Sequence, residues 1–148
     1  MAGVERSEVI RGLEPRALYD VVTDYEAYPG FFRDFTRVRI LEKQGPVWTV
    51  EFTARVVKEV SYTLAIVHDE EALRTEWTFV EGKLVTDSRG GWKLTAVEGG
   101  TRVDYHADLE VNAPLPGFIK KKIQNAILNQ SIATMFKALE AEARRRAR

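Results

Sequence analysis

The stretch "GGWKLTAVEGGTRVDYHADLEV", Gly90 to Val111, decides the fold. In its second half Val103, Tyr105, Ala107, Leu109 and Val111 alternate with Arg102, Asp104, His106, Asp108 and Glu110. A period of two means a strand with one apolar and one wet face. Glu98-Gly99-Gly100 supplies a tight turn, so the two halves pair antiparallel. Gly90-Gly91 interrupts the first half, and glycine inside a strand signals a bulge or sharp bend. A bulge flips the phase, which leaves both facings open for Asp87 and Arg89.

The same period runs backward from this hairpin. In "VWTVEFTARVV" the apolar phase is Trp48, Val50, Phe52, Ala54 and Val56. In "SYTLAIVHD" it is Tyr62, Leu64, Ile66 and His68; in "ALRTEWTFVEG" it is Leu73, Thr75, Trp77 and Phe79. Turns at Gln44-Gly45-Pro46, His68 to Glu71 and Glu81-Gly82-Lys83 separate these runs. Short turns between alternating strands make an antiparallel meander. Ahead of it, "VERSEVIRG" reads as a short strand. "LEPRALYDVVTD" reads as a helix with Pro15 in its first turn, and "YEAYPGFF" as a second, short helical turn. After Pro114-Leu115-Pro116-Gly117 the spacing of Ile119, Ile123, Ile127, Leu128, Ile132, Met135, Phe136 and Leu139 predicts one long helix, Phe118 to Arg145. Such a helix would be on the order of 40 Å long. The class is α+β, with helices on one face of a curved antiparallel sheet of about seven strands.

The 148 residues suit a single domain over positions 1–148. Formal net charge is zero, which gives no case for DNA or an acidic partner. From Gly117 onward, however, eight Lys/Arg face two Glu. The absence of cysteine excludes disulfides and thiolate chemistry. The charged opening "MAGVERSEVIRG" is unlike a signal peptide, and no run is long enough to span a membrane, so a cytoplasmic protein is expected.

Three stretches carry a family likeness. "LYDVVTDYEAYPGFF" holds Asp24, Tyr28, Pro29 and Phe32; the Gly90–Val111 hairpin and "PLPGFIKKKI" are the others. Together they resemble the helix-grip fold of the START and birch-allergen superfamily. The likeness is closest to the polyketide cyclase/dehydrase group, which includes coenzyme Q-binding START proteins and a ribosome-association toxin. The resemblance implies a sheet curled around the last helix, with a ligand cavity between them.

On that arrangement the apolar strand phase faces the cavity. The expected lining is Trp48, Phe52, Tyr62, Leu64, Thr75, Trp77, Phe79, Trp92, Tyr105 and Ala107, with Ile119, Ile123 and Ile127 from the helix. Trp and Tyr have polar tips that seek partners when buried, and small residues among them leave gaps, as a ligand pocket needs. Phe31 and Phe32 are expected to close the mouth, near Ile119 or Ile123. Tyr25 and Tyr28 read as a wedge holding the short helices to the sheet.

Sites for chemistry are sparse. No Ser-, Gly- or His-based catalytic or nucleotide motif is present, and the inward phase supplies no metal-ligand set. His106 falls on the wet face. His68 ends its strand and reads as a rim residue. Asp87 and Arg89 are candidate polar contacts if they turn inward, and a surface ion pair otherwise. Lys120, Lys121 and Lys122 oppose the helix dipole and suit a solvated face, or a weak contact with a membrane surface or ribosome. The expected function is non-catalytic binding of a lipid, quinone or polyketide-like molecule, with no cofactor. The rivals are a polyketide aromatase/cyclase and a ribosome- or protein-binding module.

Overall fold

The computed structural model describes residues 2–55, 59–112, 116–125, 128–129 and 131–148. The first strand, β1 (Ala2–Arg11), is followed by α1 (Pro15–Val22) and a 3-10 helix at Tyr25–Gly30. Six strands then run in sequence: β2 (Phe35–Gln44), β3 (Val47–Arg55), β4 (Glu59–Asp69), β5 (Arg74–Gly82), β6 (Val85–Val97) and β7 (Gly100–Val111). The final helices are α2 (Gly117–Asn125) and α3 (Ser131–Arg146).

The sheet order is β1-β7-β6-β5-β4-β3-β2, and every neighbouring pair is antiparallel. Turn chemistry explains the meander. Gly45 and Gly99 adopt positive φ of 58° and 80° at two of the hairpins, a conformation open to glycine at little cost. The longer β4–β5 turn is held by the Asp69 carboxylate, which accepts from the Ala72 N–H at 3.0 Å. Beyond the turns, alternation sets the facing. Val50, Phe52, Leu64, Ile66, Thr75, Trp92, Leu94, Val103 and Ala107 are buried in the expected phase. Val56 lies outside the described residues.

One expectation about local structure is overturned. The bulge in β6 is not at Gly90-Gly91. Pairing with β5 and β7 runs unbroken through both glycines, and the register slips between Val85 and Asp87 instead. The glycines serve close approach. A Cβ on Gly90 would lie 2.3 Å from Cζ2 of Trp77, whose indole crosses the strand there. Because the slip precedes Asp87, Ser88 is buried and Arg89 is exposed. Asp87 and Arg89 form a loose outer-face pair, 4.0 Å apart, with the Arg89 side chain 68% exposed.

The C-terminal helix is described in two parts, α2 and α3, with Leu128 and Asn129 in π-helical geometry between them. A π turn carries extra residues, so the apolar stripe read off a constant 3.6 period falls out of phase across it. On α2 the buried residue is Gln124, whose amide donates to the Leu109 carbonyl at 3.3 Å, while Phe118 is 76% exposed. On α3, Ile132, Phe136, Leu139 and Ala143 join the core with Leu18, Val21 and Val22 of α1. No helix among the described residues is long and apolar enough to cross a membrane.

Candidate functional site

A cavity of about 130 Å³ opens between the concave sheet and the C-terminal helices. Strand β3 contributes Phe52 and Ala54, and β4 contributes Tyr62, Leu64 and Ile66. Thr75 and Trp77 come from β5, Ser88 and Trp92 from β6, and Tyr105, Ala107 and Leu109 from β7. The helical wall is Leu128, Ile132 and Met135, and Tyr25, Tyr28, Asp34 and Phe35 close the end near the 3-10 helix. By volume the space resembles an engineered cavity of ~150 Å³ that holds one benzene.

The rings pack tightly around it. Phe52 and Tyr62 stack at 5.7 Å, Trp92 meets Tyr105 at 4.5 Å, and Trp92 meets Phe136 of α3 at 5.6 Å. The polar tips divide into two groups. In the first, each tip has a protein partner. Tyr28 donates to the Val22 carbonyl at 2.5 Å, Trp77 Nε1 donates to Ser88 Oγ at 3.2 Å, and Thr75 Oγ1 accepts from the backbone N–H of Trp92 at 3.3 Å. Tyr25 shares a 2.8 Å bond with His68 Nε2, while His68 Nδ1 lies 2.9 Å from the Pro46 carbonyl. A carbonyl only accepts, so Nδ1 carries the proton, Nε2 accepts, and Tyr25 donates. Burial holds the His68 pKa below 6.5, which keeps the ring neutral and this direction fixed. The second group includes Tyr62 and Tyr105. Both line the cavity, and neither hydroxyl has a hydrogen-bond partner among the described residues. Burial pushes both phenols well above their ordinary value.

Of the lining residues expected from sequence, Phe52, Tyr62, Leu64, Thr75, Trp77, Trp92, Tyr105 and Ala107 border the cavity. The others stand elsewhere, each for a local reason. Trp48 is one layer back, edge-on to Tyr25 at 5.9 Å and 4.4 Å from His68, with Lys43 Nζ 4.1 Å over its ring. Phe79, near the end of β5, packs with the smaller core group around Val85 and Val111. Ile119 and Ile123 are half-buried on α2 but outside the lining, because the change of helix phase hands that role to Leu128, Ile132 and Met135. Ile127 lies outside the described residues.

The mouth is also corrected. Phe32 is 2% exposed and wedged between Tyr28 and Phe31, each 4.8 Å away, so it is core. Phe31 lies under the Arg146 guanidinium at 5.5 Å, and Arg146 also pairs with Asp24 at 2.8 Å. The C-terminal end of α3, not α2, therefore meets these rings. Tyr25 and Tyr28 take the cavity-facing role instead. Three residues make one turn of a 3-10 helix, so Tyr25 and Tyr28 project on one side. That i, i+3 spacing was the available signal. His68 is no rim residue either: it is 6% exposed, locked behind Tyr25. Of the three helix lysines, Lys120 pairs with Glu110 at 2.8 Å, and Lys121 and Lys122 are exposed. Among the described residues no three His, Asp or Glu side chains gather as metal ligands would.

The chain matches the family described as "Polyketide cyclase / dehydrase and lipid transport" over residues 12–136. No curated protein matches it. Solved structures share the fold at low identity. An aromatase/cyclase, Zhui, from Streptomyces sp. R1128 is 17% identical with a TM-score of 0.87, over 99% of this chain and 96% of that one. A protein from Thermus thermophilus is 20% identical with a TM-score of 0.89, over 99% of this chain and 100% of that one. A START superfamily protein from Mycobacterium smegmatis is 18% identical with a TM-score of 0.80, over 97% of each chain.

Proposed function

This chain belongs to the polyketide cyclase/dehydrase and lipid transport family, and from that premise we propose that it binds a small hydrophobic molecule in the cavity beneath α3. The observation that carries the reading is the cavity itself. Its walls are aromatic and aliphatic, and its few polar groups converge on one space, which is the usual make-up of a small-molecule site. At about 130 Å³ it suits a single ring or a short chain. A fused multi-ring polyketide would require the helical wall to move.

The test uses an internal fluorophore, since Trp77 and Trp92 both line the space. Titration with a benzene-sized apolar probe should change tryptophan emission saturably. Ala107→Leu places three further carbons into the wall and should weaken binding about tenfold or more, as each buried methylene is worth ~0.8 kcal/mol. Unchanged binding in Ala107→Leu would remove the cavity as the site.

Polyketide cyclisation is the second reading, and one observation favours it. Tyr25 lines the cavity and donates to a neutral histidine, so a base stands directly behind a wall hydroxyl. A dyad of that kind would move a proton and so raise the rate ~100- to 10,000-fold. Product profiling with a reactive poly-β-ketone separates the readings. A product shift abolished by His68→Ala would favour catalysis, and an unaltered profile would leave binding alone.

A further inference from the structure

We propose that Tyr62 and Tyr105 form a paired hydrogen-bond donor site that selects neutral ligands bearing a carbonyl-type oxygen. The inference rests on the binding reading above and names the chemistry of its ligand. Four tyrosines face the cavity. Tyr25 and Tyr28 donate to His68 and to the Val22 carbonyl, so their protons are committed. Tyr62 and Tyr105 have none of these partners. Each of these two hydroxyls instead belongs to a residue of the cavity wall, where an entering ligand can accept from it.

The fold brings them together from a distance. Tyr62 stands on β4 and Tyr105 on β7, with β5 and β6 between them. The curl of the sheet brings both rings to the wall of one cavity. Both rings border the same cavity, and burial holds both phenols above their ordinary range. Both phenols therefore stay protonated at any physiological pH, and each can donate.

The acceptor's charge follows from what else lines the wall. Among the described lining residues the ionisable groups are tyrosines, Asp34 and Asp108, and no Lys, Arg or His is present. A carboxylate or phosphate buried there would meet no cation and would lose its hydration, which is costly. A ketone or quinone oxygen is neutral and has two lone pairs, one for each donor. The aromatic walls, Phe52 stacked on Tyr62 and Trp92 beside Tyr105, suit a flat ring attached to that carbonyl.

The experiment compares acetophenone with ethylbenzene, which share a carbon skeleton and differ in the carbonyl oxygen. Affinities are measured by titration calorimetry on wild type, Tyr62→Phe, Tyr105→Phe and the double variant. The expected result is that the ratio of ketone to hydrocarbon affinity falls roughly 2- to 12-fold with each substitution and further in the double variant, as the loss of one net hydrogen bond implies. Ethylbenzene affinity should hold. The two single variants should also melt no lower than wild type, because no hydrogen bond to a described residue is broken. An unchanged ratio, or binding of ethylbenzene with no binding of acetophenone, would overturn the paired-donor site and leave the cavity reading intact. Binding of neither probe would overturn both.

Discussion

Gly90→Ala tests how the sheet makes room for its aromatic wall. The added Cβ would lie 2.3 Å from Cζ2 of Trp77 and 2.3 Å from the backbone oxygen of His106. The indole can swing. The carbonyl belongs to β7 and cannot retreat without opening the β6–β7 ladder. Such overpacking costs about 1–3 kcal/mol. A displaced Trp77 also loses its 3.2 Å bond to Ser88, worth ~0.5–1.5 kcal/mol net. Against this, replacing glycine narrows the unfolded ensemble and returns about 0.4–1 kcal/mol. The clash wins, leaving a net loss of about 1–3 kcal/mol. Urea denaturation followed by tryptophan emission should show a lower midpoint at unchanged slope. Gly30→Ala is the control, since its Cβ would meet nothing within 4 Å. If Gly90→Ala proves as stable as Gly30→Ala, the account of Trp77 lying across the Gly90 backbone is wrong.

Three further outcomes are expected. Tyr28→Phe removes the donor to the buried Val22 carbonyl and should cost about 1–3 kcal/mol by chemical denaturation, unlike Tyr62→Phe, whose hydroxyl has no protein partner among the described residues. His68 is held neutral, with its folded pKa below the 6.5 of the unfolded chain, so the unfolded state takes up the proton first as pH falls. Stability should therefore be full above about pH 7, decline as pH drops through 6.5 toward the lower folded value, and lose that component of its pH dependence in His68→Gln. Melting temperatures from about pH 7.5 to 5.5 check this, and parallel curves for the two proteins would refute it. On α2, exposed Phe118 stands beside exposed Lys121 and Lys122, so vesicles rich in anionic lipid should retain the protein in a salt-sensitive manner that Phe118→Ser abolishes. Sedimentation with ribosomes but not vesicles would reassign that surface.

By itself the sequence determined the strand phases, the hairpin turns and the α+β class, because these depend on near-neighbour rules. Alternation of period two sends Phe52, Leu64, Thr75, Trp92 and Ala107 inward whatever else the chain does. A resemblance over most of the chain supplied the curl around the last helix. The tertiary structure decided what depends on register and on distant partners. One slipped pair at Val85/Asp87 put Ser88 inside and Arg89 outside, although a glycine pair farther along was the more visible signal. A π turn at Leu128 and Asn129 replaced Ile119 and Ile123 with Leu128, Ile132 and Met135 at the cavity wall. Which tyrosines are committed and which are open could not be read from any local pattern. Tyr25 finds His68 43 residues away, and Tyr62 and Tyr105 come to one cavity from strands that are not neighbours. Hydrogen-bond satisfaction is a property of the assembled interior, where each polar tip competes for partners brought together by the fold.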